Sequence, residues 1–598
     1  VAAFEADPGA VYGFTGRFFN ALRAAGVAHA VVSPGSRSTP LAITARSTPG
    51  LRTWVELDER AAAFFALGLA KASGRPALLV CTSGTAAANY LPAVIEAHYA
   101  RVPMILATSD RPAERRDWGA GQTIEQVGLY GRYARWAAEV PIPEVGEDAA
   151  RFASQLAARA VEEASATPAG AVHLNWPFRE PLAPPVGALS SLLESGSEAP
   201  AGPAFAHAQS FAASEDVAAL ADCARTQERG VICAGPMDAS PALRSAVVSF
   251  AEASGWPVLA DPASNLRAGP LAGSAGVLDA GDLLTRAPVW SAAHRPEVVI
   301  RLGETPISKA QRIWLEDAEP ETVWWLDEGG SWGEPSHRAT RVLRGVAASL
   351  LAGAATELER VSRSAPLRER AWFRDFEAAN SVARVVVGRR VEGGEGLCGL
   401  SVASAVARLA PSDSQLFAAN SMSVRLLDLA FTNRASPLRV LVSRGASGID
   451  GLTSTALGSA AAAGTPTLLL TGDLAFLHDL SGLLLAKRES IPLTIVVLDD
   501  DGGGIFSMLP VARQGEEVHF EELFRTPHGL DLSRVAPLFD LDAHRVSDRT
   551  SLEVALGQAL STPGVSIIHA PVDPGTNQAS FRAALAAGRE AIDALGSA

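Results

Sequence analysis

The sequence predicts an α/β fold made of three doubly wound α/β domains with mostly parallel sheets. Three observations carry that prediction. Short, continuously apolar runs ending in Gly, Ser or Asp recur along the whole chain, Ala- and Leu-rich segments of helical length lie between them, and two linker-like stretches cut the chain into blocks of similar size. Strands that stay apolar at every position are buried on both faces, as in parallel sheets covered by helices on either side.

In the first block (1–185), runs 30–33, 77–81 and 103–107 read as strands, and the segments 61–72 and 85–98 as helices. Residues 184–212 are rich in Pro, Gly, Ser and Ala and read as a linker. The second block (213–355) contributes strands at 230–233, 298–302 and 323–326. Residues 356–375 are charged and read as an exposed helix joining two units. The third block (376–598) adds strands at 440–442, 467–470, 493–498 and 565–568. Gly451 to Gly472 carries no charge, but Gly464-Thr465-Pro466 divides it into a small-residue helix, a turn and a buried strand, so a membrane span is not expected.

Composition narrows the function. The chain has 598 residues, 48% of them hydrophobic, which supports several cores and excludes an intrinsically disordered chain. Lys+Arg total 51 against 65 Asp+Glu, a net charge of -14, so a general nucleic-acid coat is excluded and any small anionic substrate must meet locally concentrated arginines. Four cysteines without a CxxC pair argue against a disulfide framework or a zinc site and fit a reducing cytoplasm. Residues 1–30 lack the basic and apolar regions of a signal peptide, so none is expected and a soluble protein is. P-loop and HExxH motifs are absent, and no GxGxxG opens a helix after a strand.

The strongest chemical signal is Thr471-Gly472-Asp473-Leu474 after one apolar run and Asp499-Asp500-Asp501-Gly502-Gly503-Gly504 after the next. The separation of Asp473 and Asp500 fits one helix plus one strand of a right-handed crossover, which places both carboxylates at the C-terminal edge of neighbouring strands. Two hard oxygen donors beside glycines suit a metal-bridged diphosphate. Helix capping or Asx-turns are the alternative reading. Glu59, before an Ala-rich helix, fits either a structural role or proton transfer, while Asp58 reads as a cap. In Ser33-Pro34-Gly35-Ser36-Arg37-Ser38-Thr39-Pro40, Thr39 as N-cap and Pro40 as first helical residue leave Ser36 and Arg37 beside a helix start suited to an anion. A plain turn is the competing account. Ser421 and Arg425, at i and i+4, share one helical face, and His478 reads as a helix-surface residue.

Taken together, the strings SPGSRSTPLA (33–42), DERAAAFFALGLAK (58–71), TSGTAAANYLPAVIEA (82–97), SDRPAE (109–114), NSMSVRLLD (420–428), SRGASGIDG (443–451), GDLAFLHDL (472–480) and GGGIFSMLP (502–510) resemble the thiamine diphosphate-dependent decarboxylase superfamily. Within it they are similar to the synthase family of the menaquinone pathway that couples 2-oxoglutarate to isochorismate. The resemblance implies thiamine diphosphate as cofactor, with Mg2+ or Mn2+ held by Asp473, Asp500 and the Gly502 carbonyl. It implies a homodimer or homotetramer in which Glu59 of one subunit hydrogen-bonds the aminopyrimidine held by another and drives its proton transfer. Ile449, Phe506 and Leu509 would wall the cofactor, with Leu474 and Ser421 also touching it. The two anionic substrates would be held by Arg37, Arg111, Arg425 and Arg444, assisted by Ser36, Gln122, Ser421 and Lys309.

This sequence departs from the family pattern at three points. Asp500 replaces the usual metal-binding amide, Gly121 stands where many relatives have Asn, and Ala310 stands where some have Arg, so that either Arg312 substitutes or that contact is absent. Another thiamine diphosphate-dependent decarboxylase or carboligase, or an inactive homologue with an assembly role, are the alternatives.

Overall fold

In the computed structural model of the chain, the described residues are 5–194, 203, 205–206, 208–274, 276–330, 332–361, 370–393 and 396–595. They form three domains, each around a six-stranded, all-parallel sheet flanked by helices. The first sheet holds β1 (His29–Val32), β2 (Arg52–Val55), β3 (Ala77–Cys81), β4 (Met104–Asp110), β5 (Ala134–Glu139) and β6 (Ala171–Pro177), ordered β2-β1-β3-β4-β6-β5. The middle sheet holds β7 (Gly230–Ala234), β8 (Val258–Ala260), β9 (Val277–Leu278), β10 (Val298–Leu302), β11 (Thr322–Asp327) and β12 (Arg341–Arg344), ordered β12-β11-β10-β7-β8-β9. The last holds β13 (Ser414–Ala418), β14 (Leu438–Val442), β15 (Thr467–Gly472), β16 (Leu493–Asp499), β17 (Asp542–Arg545) and β18 (Val565–Pro571), ordered β14-β13-β15-β16-β18-β17.

The strand order reverses between β1 and β3, between β7 and β10, and between β13 and β15. Helices leave the sheet on opposite faces at such a point and open a crevice beyond the strand ends. The middle crevice is closed by main chain. Gly235 donates to Leu302, Glu304 donates to Pro236, and a side chain on Gly235 would come within 1.8 Å of the Glu304 carbonyl. The first and last crevices remain for ligands.

The last domain is the centre of the molecule because its strands bury both faces. Leu416, Leu468, Leu470 and Val496 join a core shared with Trp290, Trp372 and Phe376 on one side. Phe417, Leu469, Ile495 and Val497, one residue out of step, join a core with Ala62, Phe65 and Ala66 of the first domain on the other. Two small-residue helices, Glu59–Ser73 and Leu452–Ala463, cross at that second face. A Cβ on Gly68 would lie 2.0 Å from the Thr455 carbonyl, and one on Gly458 the same distance from the Phe65 carbonyl, so the helices meet backbone to backbone.

The segment after β15 fastens this crossing. Asp479 is fully buried and accepts from the Ser454 amide (2.7 Å) and hydroxyl (3.0 Å). Burial pushes its carboxyl from the ordinary 3.8 up to about 7. A raised acid binds more protons folded than unfolded, so its contribution is complete below 3.8 and disappears as pH rises through about 7. Asp479→Asn is expected to flatten the fall in thermal midpoint across that window. An unaltered slope in melting curves taken at successive pH values would remove Asp479 as its source.

Three local expectations need correction. Within 184–212, Leu189–Glu194 is a short helix, because Leu189, Leu192 and Leu193 pack on the first domain; residues 195–202, 204 and 207 lie outside the described residues. The stretch 356–375 is not one exposed helix. A helix Ala347–Val361 precedes 362–369, which lie outside the described residues, and Trp372, Phe373 and Phe376 of the next helix, Ala371–Gly393, are buried. Their i, i+1, i+4 spacing makes an apolar seam that the surrounding charges mask in the sequence. Thr39 is the first helical residue of Thr39–Ser47 rather than its N-cap, since its amide and hydroxyl both donate to the Ser36 carbonyl. The segment 451–472 forms the expected helix, turn and strand, and no helix among the described residues is long and apolar enough to cross a membrane.

Candidate active site

The first crevice gathers four of the predicted residues. Beyond β1 the chain turns through Gly35, where a Cβ would lie 2.3 Å from that of Thr82, and places Ser36 at the surface. The Arg37 amide donates to the Thr82 hydroxyl (3.3 Å), and its guanidinium donates to the Phe178 carbonyl (3.1 Å) and Glu180 (3.0 Å). Arg111, just past β4, donates to the Gln122 carbonyl (2.7 Å) and to the Ser83 hydroxyl. Gln122, held at a φ of 57°, returns its side-chain amide to the Ser83 carbonyl (3.0 Å). Burial, and next the Arg37 charge, lower the Arg111 pKa. Adjacent cations of this sort favour an anion between them.

Glu59 is the first residue of its helix, and Asp58 caps it by accepting from the Arg60 (2.8 Å) and Ala61 (3.3 Å) amides. The carboxyl is half-buried, and its charge contributes to the raised pKa values of buried Cys81 and Tyr90. Three residues earlier, buried Glu56 accepts from the Leu57 amide (2.8 Å), and desolvation pushes it up to about 8.

In the last sheet, β15 and β16 pair in parallel, with Gly472 opposite Leu498. The expected crossover is therefore present, and Asp473 and Asp500 follow adjacent strand ends. Asp473 accepts from the Leu474 amide (2.7 Å), the Gly502 amide (2.6 Å) and His528 Nε2 (3.1 Å). The Leu530 amide donates to His528 Nδ1 (3.0 Å), which leaves Nε2 as the ring nitrogen that faces Asp473 as donor. Asp499 accepts from His569 Nε2 at 2.8 Å and lies 3.7 Å from His528. Asp500 lies over Gly504 and accepts from the Asn577 amide at 3.2 Å. Burial raises the Asp473 pKa, and the charges of Asp500 and Asp499 raise it further.

That crowding of acids is the condition a divalent cation relieves, and its donors are hard oxygens. Gly502, at a φ of 127°, belongs there because a Cβ would lie 2.1 Å from the Arg525 carbonyl, so only glycine lets its backbone approach. Asp473 and Asp500 offer oxygens of the kind that suits a magnesium–diphosphate group, while Gly502 turns its amide to Asp473 and its carbonyl accepts from the Gly504 amide at 2.9 Å. Oxygens of Asp473 and Asp499 and a nitrogen of His528 also converge to within 4.8 Å of one another. Sequence reasoning missed the last two. Asp499 was legible as the first of three aspartates, whereas nothing local marks His528.

On the other side of this crevice, the carbonyl of Ser421 (φ 65°) accepts from Arg425, one helical turn on, at 2.5 Å. Arg444 donates to Asn420 Oδ1 at 3.0 Å. Burial lowers the pKa values of Arg425 and Arg444, and Arg312 of the middle domain lowers both further. Arg286 adds to the effect on Arg425, and sequence reasoning did not find it. The Arg312 Nε is buried and has no hydrogen-bond partner among the described residues. Lys309 is exposed at the start of the helix that carries Arg312. Ile449 packs partly buried against the first-domain core, Phe506 meets Phe524 edge-on at 5.8 Å, and Leu509 is 45% exposed. No hydrogen bond or ion pair among the described residues joins the first-crevice group, or Glu59, to Asp473 or to the Arg425 group.

The chain is similar to known proteins along most of its length. Residues 15–129 match the thiamine pyrophosphate enzyme N-terminal TPP binding domain, 205–418 the middle domain of thiamine pyrophosphate enzymes, and 426–570 the C-terminal TPP binding domain. It is 41% identical to the 2-succinyl-5-enolpyruvyl-6-hydroxy-3-cyclohexene-1-carboxylate synthase of Myxococcus xanthus, over 92% of this chain and 93% of that protein. The proteins of the same name from Geobacillus kaustophilus (42%, 92% of each chain) and Listeria monocytogenes (38%, 97% of each chain) are comparably similar.

Proposed function

Because the chain belongs to the 2-succinyl-5-enolpyruvyl-6-hydroxy-3-cyclohexene-1-carboxylate synthase family and is an enzyme of the thiamine diphosphate-dependent type, we propose that it decarboxylates 2-oxoglutarate and adds the remaining four-carbon unit to isochorismate. The product would be the cyclohexene carboxylate of menaquinone biosynthesis for which its relatives are named. The observation that carries this reading is the pair of crevices. One is lined by Arg37, Arg111 and Gln122, and the other by Arg425, Arg444 and Arg312 beside the Asp473–Asp500 edge.

When bound, thiamine diphosphate supplies the nucleophilic carbon for the decarboxylation. Asp473, Asp500 and the Gly502 carbonyl hold its diphosphate through Mg2+, and Leu474, Ser421, Ile449, Phe506 and Leu509 shape the cleft around it. Glu59 of a second protomer holds a proton at the aminopyrimidine nitrogen, general acid–base work for which a half-buried carboxyl at a helix start is suited. The two crevices thus belong to different chains, which makes a homodimer, or a tetramer built from it, the working unit. Arginine–carboxylate pairing then orients two dianionic substrates against each other, with Ser36, Ser421 and Lys309 assisting.

A spectrophotometric assay that omits each component in turn tests this. Consumption of isochorismate should require 2-oxoglutarate, thiamine diphosphate and Mg2+ together, and equal carbon dioxide release from pyruvate would favour a different carboligase. Arg425→Ala is expected to lower kcat/KM for isochorismate at least about tenfold, or about 1.4 kcal/mol. An unchanged kcat/KM would remove it from the site.

A further inference from the structure

Glu96 lies in the first domain, on the helix Leu91–Ala100, yet both of its carboxylate oxygens are spent on the last domain. Oε1 accepts from the Gly445 amide at 2.9 Å and Oε2 from the Ala446 amide at 2.6 Å. The residue is 3% exposed, so this is a buried carboxylate satisfied by two main-chain donors next to Arg444. The fit is close. A Cβ on Gly445 would lie 2.7 Å from the Glu96 carbonyl and 2.8 Å from the Ala100 amide.

The other face of the same loop is held by Asn420, whose side-chain amide donates to the carbonyls of Ser443 and Gly448, both at 2.7 Å. Its Oδ1 takes the Arg444 guanidinium, and Ser421 follows it directly. The loop carrying Arg444 is thus gripped from within its own domain by Asn420 and from another domain by Glu96. Backbone hydrogen bonds to a fixed carboxylate set where the Arg444 Cα sits, and a small error there is costly for a side chain that must meet an anion.

We propose that Glu96 is a positioning residue for substrate, acting through Arg444: its bidentate grip on Gly445 and Ala446 sets the guanidinium where a substrate carboxylate is held. This rests on the reading that Arg444 binds a substrate carboxylate.

Glu96→Gln replaces one acceptor by a donor and breaks one of the two bonds. It is expected to raise KM about five- to tenfold for the same substrate, 2-oxoglutarate or isochorismate, whose KM rises in Arg444→Ala, with kcat within about twofold of the unaltered enzyme. The double variant should match Arg444→Ala alone, because Glu96 acts only through that arginine. Gly445→Ala, whose Cβ would crowd the Glu96 carbonyl and lie 3.1 Å from the Glu96 carboxylate carbon, pushes the same loop while leaving both carboxylate oxygens as acceptors; it should show the same KM signature and stands in should Glu96→Gln fail to fold. The affinity for thiamine diphosphate with Mg2+, read by tryptophan fluorescence, should not move.

A fall in kcat with KM unchanged would mark Glu96 as structural only and overturn the proposal. So would additive effects in the double variant. Were Arg444→Ala itself to leave both KM values unchanged, the assignment of Arg444 would fall first and this inference with it, whereas a raised KM in Arg444→Ala beside a normal one in Glu96→Gln would overturn the inference alone.

Discussion

Glu59→Gln is expected to lower turnover by about 10²–10⁴-fold while thiamine diphosphate still binds. The substitution keeps size and hydrogen-bonding reach but removes the carboxyl that can take up and release a proton. Asp58, not Glu59, caps the helix, so its start should survive the change. In the proposed arrangement binding is set at the opposite end of the cofactor, by Asp473, Asp500 and Gly502, and should persist. Calorimetric titration beside a single-turnover assay separates the two quantities. Near-normal turnover would refute the proton-transfer role, and lost binding would make Glu59 an anchor. Neighbouring Glu56 does not serve as a substitute, because it is buried and already engaged by the Leu57 amide.

Arg267→Ala should have the largest effect on stability, about 3–5 kcal/mol. Arg267 is 1% exposed, and all three of its guanidinium nitrogens donate hydrogen bonds. It donates to the Ala260, Asp428 and Phe431 carbonyls at 2.7, 2.9 and 3.1 Å and pairs with the Asp428 carboxylate. This contact ties the middle domain to the helix Met422–Ala430, on which Arg425 lies. Removing one partner leaves a buried carboxylate beside Asp261, and each of these two acids is raised by burial and by a neighbouring acid. Denaturant unfolding followed by tryptophan emission would read the loss. A cost below about 1 kcal/mol would show that the pair is dispensable, and replacing both partners by apolar residues should recover most of the stability.

The parts of this fold that were legible in the sequence are those where burial is two-sided. The strands around β3, β4, β10, β15 and β16 appear as unbroken apolar runs because helices cover both faces. Strands β2, β12 and β17 lie at sheet edges and expose alternate or most residues, so no apolar run announces them. Strands β8 and β9, three and two residues long, are too short for periodicity to register. At the site, Asp473 and Asp500 were legible because a crossover has a fixed length. His528, Arg286 and Glu96 were not, since only tertiary folding brings a turn, a middle-domain helix and a first-domain helix to these crevices. The aromatic seam of Trp372 and Phe376 was hidden for another reason: charges flank it on every side in sequence and on only one side in space.

The crossing of Gly68 against Gly458 also limits how the enzyme can open. Sliding one packed helix past another needs side chains that can exchange grooves, and here carbonyl oxygens stand in the way of even a methyl group. Shear between the first and last domains is therefore blocked, and substrate entry must fall to a segment outside that seam. The stretch from Gly504 to Arg525, a series of single-turn helices with Leu509 and Leu523 facing solvent, borders the Asp500 edge and is tied down at its end by Arg525 on the Asp500 carbonyl and near its start by Gln578 and Arg582 on the Ser507 carbonyl.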